Sequence, residues 1–209
     1  MHILIIEDEK GIVDFLKQGL EEKINFCISE VDRLNHMVDQ LLLLARFENQ
    51  KQNLKSESVY LNALILDLLA RFSDKIKNNK IVITTNFSKE YSIASDMYLV
   101  TIIISNLLSN AIKYTHSEGK ISLLLFEEEE SIQFSIIDNG IGIAPNDIAK
   151  VFQSFYRSES SNQATIKGTG LGLSIVKRLC DLLQIKISIE SELNVGTVIN
   201  LSFPSNKIK

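Results

Sequence analysis

Two asparagines and a lysine recur at intervals of four and three residues: Asn106, Asn110 and Lys113. On a helix over residues 97–115, a rotation of about 100° per residue puts all three on one narrow stripe, with Tyr114 beside it. A separate stripe carries Thr101, Ser105 and Ser109, and a wide apolar face holds Val100, Ile103, Ile104, Leu107 and Ala111. Small hydroxyls suit solvent. Two amides and a lysine one turn apart suit a ligand, or form simply a second solvated stripe.

Further along, Asp138-Asn139-Gly140-Ile141-Gly142-Ile143 follows a run whose alternation (Ile132, Phe134, Ile136) reads as a core-facing strand. An Asp at the end of such a strand can accept a hydrogen bond from an exocyclic amine. The glycines let the backbone approach a flat ring closely. A plain turn would use the same residues. Lys167-Gly168-Thr169-Gly170-Leu171-Gly172-Leu173-Ser174 then opens a helix expected to reach Leu183. Glycines before a helix start expose backbone N–H groups to an anion, and the helix dipole adds to that field. This is a phosphate cradle by mechanism, but no GK[ST] closes it and no strand precedes it. Between the two glycine-rich stretches lies Phe152-Gln153-Ser154-Phe155-Tyr156-Arg157. Its aromatics could hinge a lid, and Arg157 could reach a phosphate.

These segments need a scaffold. The chain has 209 residues, 45% apolar and 23% charged, which is globular composition. Its net charge of −4 argues against a nucleic-acid module and against a polybasic membrane binder. The longest apolar runs, 41–45 and 99–104, fall far short of the ~20 residues of a membrane span, and a cytoplasmic protein is expected. Cys27 and Cys180 have no disulfide or zinc spacing and both read as buried, reduced thiols.

Three parts are expected: residues 1–22, 23–53 and 54–209. The second contains no Pro or Gly, and Leu20, Ile24, Cys27, Val31, Leu34, Val38, Leu41 and Ala45 alternate by four and three. That heptad seam suits a partner helix. Gly11 stands at the start of residues 10–49 and only Gly19 interrupts them thereafter, at about 1 kcal/mol relative to Ala, so one long helix is expected there. The third part reads as helix (61–78), strands (81–87, 91–94), helix (97–115), strands (120–127, 131–138), a short helix near 148, helix (171–183) and strands (186–190, 197–203). Helices and mostly hairpin-linked strands in blocks predict an α+β fold, a two-layer sandwich preceded by the long N-terminal helix. The acid run 127–130 reads as a solvated hairpin tip.

In order and spacing these segments resemble the ATP-binding catalytic domain of sensor histidine kinases, the Bergerat fold. NLLSNAIKYT is similar to the N box, DNGIGI to the G1 box, FQSFYR to the F box and GTGLGLSIVK to the G2 box, with NVGTVINLSFP as the closing strand. SEVDRLNHMVDQLLLLARFE resembles the second helix of the dimerisation and phosphotransfer hairpin. The resemblance implies ATP and Mg²⁺ as ligands. Asn110, supported by Asn106, would hold Mg²⁺ through an amide oxygen. Lys113 and Tyr114 would contact phosphate and nucleotide. Asp138 would read the adenine amino group, with Gly140, Gly142 and Ile143 against the ring and Thr197 lining its pocket. Arg157 and Lys167 would act on the γ-phosphate side. Gly168, Thr169, Gly170 and Gly172, with the backbone at Leu171 and Leu173, would form the phosphate nest. Asn106, Lys113 and Arg157 would carry the catalytic roles. Related ATPases carry a Glu at the position of Asn106 to activate water, and an Asn cannot be that base. Transfer to a protein histidine is therefore implied over hydrolysis.

The family's acceptor motif, His-Glu followed by Thr-Pro, has no match. The histidines are His2, His36 and His116, none followed by Glu, and the prolines are Pro145 and Pro204. His36 reads as a surface or seam-edge residue and His116 as a loop residue. The opening residues resemble the first strand and helix of a response-regulator receiver, in which Glu7 and Asp8 would match an acidic pair. The implied partners are a second copy or an intact kinase through the long helix, the histidine-bearing hairpin of such a kinase, and a response regulator. A catalytically silent ATP-binding or dimerisation module and a gene-fusion remnant are the alternative readings.

Overall fold

The computed structural model describes residues 10–48, 54–158 and 168–204. The chain divides into two compact units, one ending at Ala45 and the other beginning at Arg46. His2, Glu7, Asp8, the expected opening strand and Lys167 lie outside the described residues, as does the side chain of His36.

The long helix is present: α1 runs Lys10–Glu48 through 39 residues, with Gly19 inside it and nothing near where its side chain would stand. Ile24, Ile28, Val31, Leu34, Val38 and Leu42 are exposed along it. Cys27 departs from expectation. Only Cys180 is buried, and Cys27 is exposed. The reason is geometric: a single helix has no second layer to bury its own seam. Among the described residues no helix is long and apolar enough to cross a membrane.

The second unit has the expected two layers. Its elements are β1 (Glu57–Tyr60), α2 (Leu61–Arg71), α3 (Ser73–Asn78), β2 (Val82–Phe87), β3 (Ser92–Ser95), α4 (Met97–Tyr114), β4 (Lys120–Glu128), β5 (Ser131–Asp138), α5 (Pro145–Ile148), α6 (Gly172–Leu183), β6 (Lys186–Glu192) and β7 (Gly196–Pro204). Five strands form one sheet in the order β2-β4-β5-β7-β6, and β1 pairs with β3. β4–β5 and β6–β7 are hairpins, while β2 and β4 are parallel. A parallel pair needs a long crossover. Here the crossover contains α4, which is how the helix with the amide stripe comes to lie on the sheet.

Alternation decides which sheet face is covered. Ile121, Leu123, Leu125, Phe134, Ile136, Leu201 and Phe203 point inward and are buried with Ile103, Ile104 and Leu107 of α4 and Ile175, Val176 and Leu179 of α6. The other face carries Leu124, Ile137 and Val198 together with hydroxyls and amides that bond across strands: Ser135 Oγ donates to Asn200 Oδ1 at 2.6 Å, Gln133 Nε2 to Ser202 Oγ at 3.0 Å and Thr84 Oγ1 to Ser122 Oγ at 2.8 Å. A face already satisfied in this way needs no third layer.

The helix expected over 61–78 is two helices. Phe72 sits at φ −90°, ψ 3°, and its N–H is shared between the carbonyls of Leu68 (3.1 Å) and Leu69 (3.2 Å). That tightens the last turn of α2 before α3 begins. The acid run forms a hairpin turn with Glu129 at φ 53°, and Glu127 pairs with Lys89 at 2.5 Å.

Candidate functional site

α4 starts at a side-chain cap, with Asp96 Oδ1 accepting from Leu99 N–H at 3.1 Å, and its apolar face is anchored in the core. The Asn106–Asn110–Lys113 stripe is therefore held facing the start of α6. Asn106 Nδ2 donates to Ile102 O at 2.9 Å. That bond engages one of the two N–H donors of the amide and leaves its oxygen toward Gly172. A side chain on Gly172 would begin 3.1 Å from Asn106 Oδ1 and 4.0 Å from Asn110 Nδ2. The first turn of α6 thus lies over both amides. No side chain caps α6, and no acid lies in its first turn. Its leading N–H groups and dipole form a positive field at that point. Lys113 Nζ lies against Gly168, donates to the Tyr114 hydroxyl at 3.2 Å and sits 4.7 Å from the centre of that ring. Leu171 is buried and its N–H donates to Thr169 Oγ1 at 3.3 Å, which folds the turn Gly168–Gly170 back on the helix start. Leu173 lies in the first turn of α6 and is half-buried.

At the other end of α4, the carbonyl of Tyr114 accepts from Ile141 N–H at 3.1 Å, and the α-carbon of Gly140 packs against it. This joins the amide stripe to the loop after β5. Asp138 closes β5 opposite Thr197 of β7. Its Oδ1 accepts from Gly140 N–H at 2.9 Å. Burial pushes its carboxyl above the ordinary Asp range, against the opposing pull of the Gly140 and Thr197 amides. Ser191 of β6 ties the two walls together. Its Oγ accepts from Ile143 N–H at 2.8 Å, donates to Gly196 O at 2.8 Å and lies 2.9 Å from Thr197 Oγ1. The sequence reading missed Ser191. It carries no motif, and only the β6–β7 register brings it beside Thr197.

The third wall is the segment after α5. Phe155 N–H donates to Gly170 O at 2.9 Å, and Arg157 Nη1 donates to Gly168 O at 3.5 Å. Of the residues expected at the nucleotide site, all except Lys167, which lies outside the described residues, fall into two adjoining clusters. One is amide and cationic (Asn106, Asn110, Lys113, Arg157 around Gly168–Leu173). The other is a partly buried carboxylate in a tight-turned pocket (Asp138, Gly140, Gly142, Ile143, Thr197). Tyr114 is their link. A neutral amide oxygen at Asn106 and a second side-chain amide at Asn110, whose nitrogen faces Gly172, lie beside the exposed helix N–H groups, and amide oxygens beside such N–H groups suit a hydrated Mg²⁺ carrying phosphates.

The family model described as histidine kinase-, DNA gyrase B-, and HSP90-like ATPase matches residues 96–207. The sensor protein RprX of Bacteroides fragilis is 36% identical over 179 residues, 84% of this chain and 34% of that protein. The sensor-like histidine kinase SenX3 of Mycolicibacterium smegmatis is 30% identical over 177 residues, 85% of this chain and 46% of that one. The chain thus spans about a third to a half of the length of these curated relatives. Among solved structures, the catalytic domain of the histidine kinase ThkA is similar with a TM-score of 0.63 at 27% identity, over 72% of this chain and 95% of that one. Full-length ShkA in complex with AMPPNP shares the fold with a TM-score of 0.73 at 24% identity, over 97% of this chain and 40% of that one.

Proposed function

The chain belongs to the family of histidine kinase-, DNA gyrase B- and HSP90-like ATPases and carries the ATP-binding catalytic domain of sensor histidine kinases. From that premise we propose that residues 54–209 bind Mg-ATP and transfer its γ-phosphoryl to a histidine on another polypeptide. The observation that carries this is the Asn106–Asn110 amide stripe opposed to the uncapped start of α6, with Lys113 against Gly168.

Asp138 accepts the adenine amino group, while Gly140, Gly142 and Ile143 pack against the ring and Thr197 closes its edge. Tyr114 and Lys113 meet the phosphate chain. The N–H groups at Gly172 and Leu173 and the turn Gly168–Gly170 cradle it, and Arg157 reaches its γ end. Asn110 and Asn106 would hold Mg²⁺ through their amide oxygens, where the ion neutralises phosphate charge. An acceptor imidazole nitrogen attacks the γ-phosphorus as the bond to the bridging oxygen breaks, and ADP leaves with that electron pair. The protein supplies position and charge rather than a base. Asn106 supports this reading, because an amide cannot deprotonate water for hydrolysis. Transfer in trans is supported by the histidines themselves: none of the three is followed by Glu.

The test is titration calorimetry with Mg-ATP, then labelled ATP with and without a separate histidine-bearing hairpin from an intact kinase. Binding, with acid-labile label on the hairpin alone, is the expected result. Label on this chain would overturn the trans reading. Binding with no transfer would leave a silent nucleotide module, and no binding a fusion remnant.

We also infer that α1 pairs with a second copy or with the helix of an intact kinase. Its exposed apolar residues, Ile24, Ile28, Val31, Leu34, Val38 and Leu42, would otherwise remain in water. Sedimentation should show a concentration-dependent dimer that Val31→Glu, at a seam position, shifts to monomer. A monomer at all concentrations would refute the pairing.

A further inference from the structure

Arg157 is flanked by two residues that share one partner. The Tyr156 hydroxyl donates to Asp147 Oδ1 at 2.7 Å, and the Ser158 hydroxyl donates to Asp147 Oδ2. Both oxygens of one carboxylate therefore grip the residues on either side of the guanidinium-bearing position. Asp147 itself is fixed within α5. Its N–H donates to Ala144 O at 2.9 Å, and its carbonyl accepts from Lys150 N–H at 2.8 Å and Val151 N–H at 3.1 Å. Lys150 Nζ lies 5.8 Å from the centre of the Tyr156 ring. The segment is held from its other end as well. Phe155 adopts φ 65°, a conformation an aromatic residue rarely takes, with its N–H on Gly170 O. Strain of this kind persists where the surroundings over-determine the backbone.

We propose that Asp147 is a positioning residue: by holding Tyr156 and Ser158 it aims Arg157 at the phosphate end of the site, beside Gly168. This rests on the reading of Arg157 as the γ-phosphate contact. The two hydroxyls also hold the Asp147 carboxyl below its ordinary range, Ser158 first and Tyr156 second, so the grip is by the ionised form at neutral pH. A carboxylate whose only task were to start α5 would have no need of either hydroxyl.

The test compares affinities for Mg-ATP and Mg-ADP in the full chain, after melting curves confirm that each variant folds. Arg157→Ala should lose about tenfold in ATP affinity and little in ADP affinity, the scale of one charge-assisted hydrogen bond. Asp147→Ala should show the same ATP-selective loss, and the double variant should be no worse than Arg157→Ala alone. Asp147→Asn, which keeps one acceptor oxygen, should fall between wild type and Asp147→Ala. If Asp147→Ala unfolds the chain, Tyr156→Phe with Ser158→Ala removes the two hydroxyls without touching α5 and should give the same selective loss. Equal losses for ATP and ADP, or losses fully additive with Arg157→Ala, would reduce Asp147 to a structural role and overturn the proposal. If Arg157→Ala itself does not discriminate ATP from ADP, the reading of Arg157 fails and takes the proposal with it. The two failures are told apart by that single variant.

Discussion

Asp138→Asn is expected to abolish nucleotide binding while leaving the melting temperature unchanged or raised. The binding loss follows from hydrogen-bond polarity. Asp138 Oδ1 already accepts from Gly140 N–H. An Asn would keep its oxygen there and turn its NH₂ toward the adenine amine, donor against donor. Losing a bond to a charged acceptor and gaining a buried conflict costs about a hundredfold or more in affinity. The stability effect has the opposite sign because burial raises the Asp138 pKa. The unfolded Asp releases its proton at lower pH than the folded one. Between those two values the native state holds the extra proton, so stability falls as pH rises through that window, and the cost persists above it. An Asn carries no such cost. Binding has the reverse dependence in the wild type: it needs the carboxylate, and weakens as pH falls through the raised pKa. Calorimetry and thermal melts across pH 4–8 read both. An Asn variant that binds like the wild type would remove Asp138 from base reading, and one that melts well below it would contradict the burial argument.

Gly142→Ala is expected to destabilise the second unit by about 2–4 kcal/mol. Roughly 1 kcal/mol comes from the left-handed backbone and the rest from overpacking. Gly142 sits at φ 65°. Its added Cβ would run into the backbone of the β6–β7 turn, on the Glu192 carbonyl, with that carbon at 2.7 Å and Leu193 Cα at 3.1 Å. No flexible side chain is present to move aside. The same turn donates Asn194 N–H to Ile141 O at 2.8 Å, so the adenine-side wall shifts with it. Gly172→Ala is the contrasting variant. It lies in a helix, and its Cβ meets only Asn106 Oδ1 inside 3.4 Å. It should melt within about 1 kcal/mol of wild type, since Ala favours helix, yet weaken Mg-ATP binding by intruding on that oxygen. Denaturant melts of the pair separate the two cases. Equal stability losses would show that close backbone approach does not distinguish the two positions.

The difference between these glycines shows what a linear pattern can carry. The stripe of Asn106, Asn110 and Lys113 was legible because helical periodicity relates residues three and four apart, and α4 is bounded close to where that period runs. The turn at Gly168–Gly170 and the start of α6 were legible because glycine before an amphipathic run has a local meaning. The break at Phe72 was not, because the apolar period continues unbroken through it. Cys27 was misread as buried because a seam in the sequence does not say whether its partner is in the same chain.

What the sequence determined by itself is thus local: the helix faces, the strand alternation that makes one sheet face apolar, the two glycine-rich turns and the absence of a His-Glu pair. Tertiary structure alone decided the rest. The parallel β2–β4 pairing sets α4 on the sheet, the β5–β7 register puts Asp138 opposite Thr197, and the β6–β7 hairpin delivers Ser191 to the other side of Thr197. Asp147 finds Tyr156 and Ser158 through a turn that runs through the left-handed Phe155. Hydrogen bonds of about 3 Å are short-ranged and directional, so a polar residue's role depends on which distant backbone the core packing brings to it, and no spacing rule encodes that.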